Sequence, residues 1–139
     1  MENVKRLFLI VLCLAFFSCS ECKEDSVFKT NFQNCLDIVD LVHYKGYYSD
    51  LGTRLHAFEC LIAITGYEGS VDLFGEPVAI YTYREDLDKD LNIWKQWYEA
   101  NKCSFTLAKA DSLIARYREV IGDPELTWPV RDSVKVFEL

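Results

Sequence analysis

The sequence predicts an all-α protein, a compact bundle of about four helices, and three observations carry that prediction. From Asn31 onward, apolar side chains recur at three- and four-residue steps, the spacing of helices with one buried face. Glycine-bearing breaks at 46–52 and 66–69, and again at 122–124, divide the pattern into lengths suited to globular helices. With 50% hydrophobic and 27% charged residues over 139 positions, the composition fits one globular domain rather than a disordered chain.

The first helix follows Asn31, with Phe32, Cys35, Leu36, Ile38, Val39, Leu41 and Val42 on one wide apolar face. Gly46 and the Ser49-Asp50-Leu51-Gly52 cluster interrupt it. A second helix starts near Thr53, a suitable N-cap, and sends Leu55, Phe58, Leu61, Ile62 and Ile64 inward before Gly66 stops it. Helix, short break, helix reads as an antiparallel hairpin. In the third helix Asp86 is positioned to cap, Asp88 and Asp90 lie in the first turns where the dipole favours acids, and Lys102 closes the end. Its stripe is Leu87, Leu91, Trp94 and Tyr98, flanked by Trp97. The fourth runs from about Thr106 to Ile121, with Leu107, Ala110, Leu113, Ile114, Tyr117 and Ile121 on one face. Gly122-Asp123-Pro124 ends it. In the tail, Val134 to Leu139 alternates like a strand with no evident partner, and Trp128 is the expected anchor onto the bundle.

The stretch "RLHAFECLIAITGYEG", followed by "DLNIWKQWYEANK", resembles a helical-repeat module of the HEAT type across residues 31–102. A single copy is visible, whereas a stable solenoid needs several, so a compact bundle related to one such unit is expected. That resemblance implies binding rather than catalysis.

The N-terminus concerns delivery. Lys5 and Arg6 precede an unbroken apolar run of 11 residues, Leu7 to Phe17. A helix crossing a bilayer needs about 20, so the run reads as a secretory signal. Phe16-Phe17-Ser18-Cys19 resembles the lipobox of bacterial lipoproteins, which implies cleavage before Cys19 and acylation of that cysteine. Two or more acyl chains hold a protein stably at a membrane without a spanning helix. The organisation expected is a signal peptide over 1–18, a lipidated polar tether over 19–30 and a single helical domain over 31–139. Lys23-Glu24-Asp25 resembles the charged address that places some lipoproteins on the outer face of the outer membrane. The expected location is therefore the cell envelope, anchored in the outer membrane and displayed at the surface. A net charge of −7 excludes nucleic acid as a natural partner, because acidic surfaces repel polyphosphate.

Candidate chemistry is sparse. Beyond Cys13 in the signal and Cys19, the cysteines are Cys22, Cys35, Cys60 and Cys103, which permit three pairings. A hairpin turning near 48–49 puts Cys35 within about one helical turn of Cys60. A bridge there would contribute on the order of 3 kcal/mol; the alternative is two buried free thiols packing as small hydrophobes. No pair of ligands has metal-finger spacing, and no metal or cofactor is expected. His43 and His56 flank the turn near Asp40, Asp50 and Glu59 and read as exposed turn histidines. Nucleophile-elbow, zinc-protease and phosphate-loop motifs are all missing, so no catalytic residue is assigned and no enzyme is expected.

The segment 67–85 is the best functional lead, since long ordered loops are unusual and often functional. Tyr67, Phe74, Tyr81 and Tyr83, with Trp97 at a rim, form the candidate binding surface, unless these aromatics simply cover the helical core. Strand-like flanks around Gly75-Glu76-Pro77 allow a small β-hairpin there. The expected function is a lipid-anchored binding module for a protein partner, of toxin-neutralising or accessory-subunit type. The alternative is a small-molecule or glycan-handling lipoprotein, or a minor hydrolase, using the 67–85 loop.

Overall fold

The computed structural model describes residues 22–44, 48–49, 51–70, 81, 83–130 and 134–135. Among the described residues the fold is an all-α bundle of four helices: α1 (Ser26–Tyr44), α2 (Leu51–Thr65), α3 (Arg84–Asn101) and α4 (Leu107–Ile121). Helix α2 is the central element. Ala57, Phe58, Glu59, Cys60, Leu61, Ile62 and Ile64 are all buried, more than one face can account for. A helix apolar nearly all round must be enclosed, and α2 packs on α1, α3 and α4. The α1–α2 hairpin is present, and Phe32, Cys35, Leu36, Ile38 and Val39 supply the α1 side of the core as their spacing requires.

Three helix starts differ from the sequence reading. The smallest shift is in helix α2, which begins at Leu51, so Thr53 lies within its first turn rather than capping it. Helix α1 begins at Ser26, because Asp25 is its N-cap: Oδ1 accepts from the backbone N–H groups of Val27 at 3.1 Å and Phe28 at 3.0 Å. The expected tether over 19–30 therefore gives way to ordered structure from Cys22 onward, and Phe28 joins the core fully buried. Helix α3 begins at Arg84, so Asp86 lies within its first turn rather than capping it. Helix α4 conforms to expectation: the Thr106 side chain accepts from Lys109 N, and Gly122 ends the helix at φ 71°, a left-handed conformation that a residue with a Cβ adopts at a cost.

The chain after α4 lies back over the bundle. Leu126 is fully buried, and the Trp128 indole N–H donates to Asp111 Oδ1 at 2.7 Å while its ring meets Phe28 edge-on. Further on, Val134–Lys135 finds the partner that the sequence did not reveal. It pairs antiparallel with Tyr48–Ser49 in the α1–α2 connection, Tyr48 opposite Lys135 and Ser49 opposite Val134. The proposed hairpin around Gly75-Glu76-Pro77 lies outside the described residues.

Among the described residues a disulfide links Cys22 to Cys103, closing the chain before α1 onto the α3–α4 connection. Cys35 and Cys60 are free and fully buried, so the bridge weighed between them is absent, although the hairpin does set the two thiols against each other. Hydrogen bonds reinforce the same N-terminal junction. Asp25 Oδ2 accepts from Leu107 N at 2.9 Å, and Glu24 accepts from Lys29 Nζ at 2.8 Å and from the Tyr98 hydroxyl at 2.5 Å. The N–H groups of Leu107 and then Phe28 hold the Asp25 carboxyl below the usual carboxylate range, and Lys29 and Tyr98 do the same for Glu24.

Candidate functional site

Among the described residues, the aromatics singled out in the sequence do not converge on one surface. Tyr67 and Tyr81 turn inward to a carboxylate that the sequence placed among helix-start acids, Asp90, which is fully buried. Tyr67 donates to Asp90 Oδ1 at 2.7 Å and Tyr81 to Oδ2 at 2.8 Å; Ser70 adds its backbone N–H at 2.6 Å and its hydroxyl at 3.0 Å. Four donors from both ends of the 67–85 segment thus close on one acceptor of α3. Burial, then the hydrogen bond and charge of Asp90, push both tyrosine hydroxyls above their ordinary pKa, Tyr81 furthest, so they stay protonated as donors. The site is built tightly. A Cβ on Gly69, at φ 77°, would stand 2.9 Å from Asp90 Oδ2.

The other named residues are elsewhere. Tyr83 is 64% exposed just before α3. Trp97, near the opposite end of α3, is half-buried between Phe32, 5.8 Å away and nearly parallel, and Phe105, 5.0 Å away and edge-on. Phe74 lies outside the described residues. Tyr67, Tyr81 and Trp97 therefore do the work of a core cover, and the two tyrosine hydroxyls are committed to Asp90.

The cluster with unspent chemistry is another one. His56 and Glu59 lie three residues apart on α2 and so share a face. Asp123 faces them from the turn that Gly122 makes after α4. His56 Nε2 is 3.3 Å from Asp123 Oδ2, and ligand atoms of all three residues lie within 4.8 Å of one another. Asp123 is oriented by its second oxygen, which accepts from Glu125 N at 2.9 Å. His56 is thus half-buried and engaged, not the exposed turn histidine expected of it; the side chain of His43 lies outside the described residues.

Glu59 is the anomaly of the group. It is only 6% exposed, and among the described residues its Oε2 has no hydrogen-bond partner. Burial, with the Asp123 charge beside it, pushes its carboxyl up to about 7. A buried carboxylate oxygen without a partner costs free energy that native structures rarely leave unanswered. Sequence reasoning brought His56 and Glu59 close but missed Asp123; the turn signal that carries it, Gly122-Asp123-Pro124, was read only as a helix stop.

The buried thiols differ in character. Enclosure, together with the neighbouring Cys60, raises the Cys35 pKa well above the ordinary thiol value, and Cys60 Sγ lies 3.5 Å from the Thr127 carbonyl. The pair packs as small hydrophobes, and the raised Cys35 thiol is a poor nucleophile.

Comparison with protein-family models, with curated proteins and with solved structures finds no match. Among the described residues, no helix is long and apolar enough to cross a membrane.

Proposed function

We propose that this chain is an exported lipoprotein of the cell envelope, anchored through acylated Cys19, whose helical domain is a binding module for a protein partner. The observation that carries the reading is the Cys22–Cys103 bridge, three residues after the lipobox cysteine. Disulfides persist in oxidising compartments, which is where the signal-like N-terminus would deliver the chain. The bridge and the Asp25 cap also imply a very short tether. Only residues 20 and 21 separate Cys19 from the bridged Cys22, so the domain would sit close against the membrane, with the α3–α4 connection facing it.

Binding of a protein is favoured over the small-molecule reading by Tyr67 and Tyr81, described residues of the 67–85 segment. Their inward hydroxyls are spent on Asp90, leaving them unavailable to orient a ligand. Among the described residues, large apolar side chains at the surface are few and scattered (Val27, Tyr83, Val120 and Val130), so recognition there would rest on charge. With a net charge of −7, lowered further once Lys5 and Arg6 leave with the signal, the complementary partner is a basic protein surface.

The test compares wild-type protein with Cys19→Ala in the native envelope, by membrane fractionation and in-cell crosslinking. Expected are membrane retention and a reproducible, salt-sensitive crosslink to one basic protein for wild type, with retention lost in Cys19→Ala. Equal fractionation of the two forms would overturn the anchor, and a wild-type protein that forms no reproducible crosslink would overturn the binding role.

A further inference from the structure

We propose that His56, Glu59 and Asp123 form a binding site for a divalent transition cation of the Zn²⁺ type, clipping α2 to the turn after α4. The inference is independent of the envelope reading.

Three observations support it. The donor set is one imidazole and two carboxylates drawn from two elements that must be held together. Two ligands about 2.1 Å from a tetrahedral Zn²⁺ stand about 3.4 Å apart, and the His56 Nε2 to Asp123 Oδ2 separation is already 3.3 Å. The remaining separations, none above 4.8 Å, are within reach of side-chain rotation.

The third observation is the orphaned oxygen. Glu59 is more than nine-tenths buried, its Oε2 lacks a hydrogen-bond partner among the described residues, and its carboxyl group shares the cluster with that of Asp123. Two carboxylates brought together without a cation repel; a cation between them reverses the sign of that interaction and supplies the missing partner. Orientation is in place as well, since Asp123 is fixed through its other oxygen by Glu125 N, the outer contact that metal-binding carboxylates commonly have.

The donor chemistry selects the cation. Ca²⁺ takes six to eight oxygens and Mg²⁺ keeps an octahedral, largely hydrated shell, so neither suits a three-donor site with an imidazole. Soft Cu⁺ prefers sulfur, whereas Zn²⁺ and its neighbours accept imidazole and carboxylate together. Three protein ligands leave a fourth position for water or for a donor from a binding partner.

The experiment uses tag-free, chelator-stripped full-length protein titrated with Zn²⁺, Ca²⁺ and Mg²⁺, read by calorimetry and by thermal unfolding. Expected are one Zn²⁺ per chain, a higher unfolding temperature with Zn²⁺, and neither effect with Ca²⁺ or Mg²⁺. Glu59→Gln keeps the shape of the buried side chain while removing its charge, so it should remain folded by circular dichroism yet weaken Zn²⁺ binding by about tenfold or more. His56→Ala should do the same, and should alter the visible spectrum of the Co²⁺-loaded protein. Absence of stoichiometric Zn²⁺ binding, equal binding of Ca²⁺, or wild-type affinity in a folded Glu59→Gln protein would each overturn the proposal.

Discussion

Removing the Cys22–Cys103 bridge gives the largest effect that can be worked out in advance. The bridge joins positions 81 residues apart, so it denies the unfolded chain most of its extended conformations. In the chain-entropy account a loop of that size contributes about 4.5 kcal/mol. The double variant Cys22→Ala/Cys103→Ala is the clean perturbation, because both cysteines are exposed and neither alanine opens a cavity. Native contacts at the junction persist without the sulfurs, since Asp25 still accepts from Leu107 N and Glu24 from Tyr98. The loss should therefore appear mainly as a gain in freedom of the unfolded state. Urea denaturation should show a lower midpoint and a steeper dependence on urea, as a less restricted unfolded chain exposes more surface. Thermal unfolding should fall by roughly 15 °C for a domain of this size. A double variant within about 1 kcal/mol of the oxidised protein, with an unchanged urea slope, would refute the reasoning.

Three further outcomes follow from named contacts. Asp90→Ala leaves the Tyr81 hydroxyl and the Ser70 N–H without their acceptor, at about 1–3 kcal/mol each, so urea denaturation should show a loss of about 3 kcal/mol or more and near-ultraviolet dichroism a loosened tyrosine environment. Because the Asp25 and Glu24 carboxyls are held below their ordinary values, their contribution is fully present above the unfolded values of 3.8 and 4.5 and is lost as pH falls below them. Asp25→Ala should accordingly be less stable at neutral pH and lose less on acidification, as read from unfolding midpoints across an acid series. Cys35 and Cys60 should resist alkylation in the folded protein and both react after denaturation without reductant, as read by mass shift.

Much of the helical scaffold was legible because burial on one face writes a 3.6-residue period into the chain. Phe32, Cys35, Leu36 and Val39 in α1, and Leu87, Leu91 and Trp94 in α3, are buried where their spacing puts them. Residues whose role depends on distant partners were not legible. Asp90 looks like any acid near a helix start until Tyr67, Ser70 and Tyr81 close over it. Asp25 read as part of a charged tether, although Phe28, four residues before Phe32, was a local sign that the helix begins earlier. The proximity of Cys35 and Cys60 followed from the hairpin, but their remaining free did not. Cys22 and Cys103 could be paired only once α1 and the α3–α4 connection were seen side by side. Asp123 likewise meets Glu59 through tertiary packing alone.

The most direct test of the proposed function's foundation is the intact mass of the protein extracted from membranes without reduction. The account predicts a chain that begins at Cys19, carries acyl chains on that residue and is two hydrogens lighter for the Cys22–Cys103 bridge. A chain that retains residues 1–18, or is cut elsewhere and bears no lipid, would contradict it.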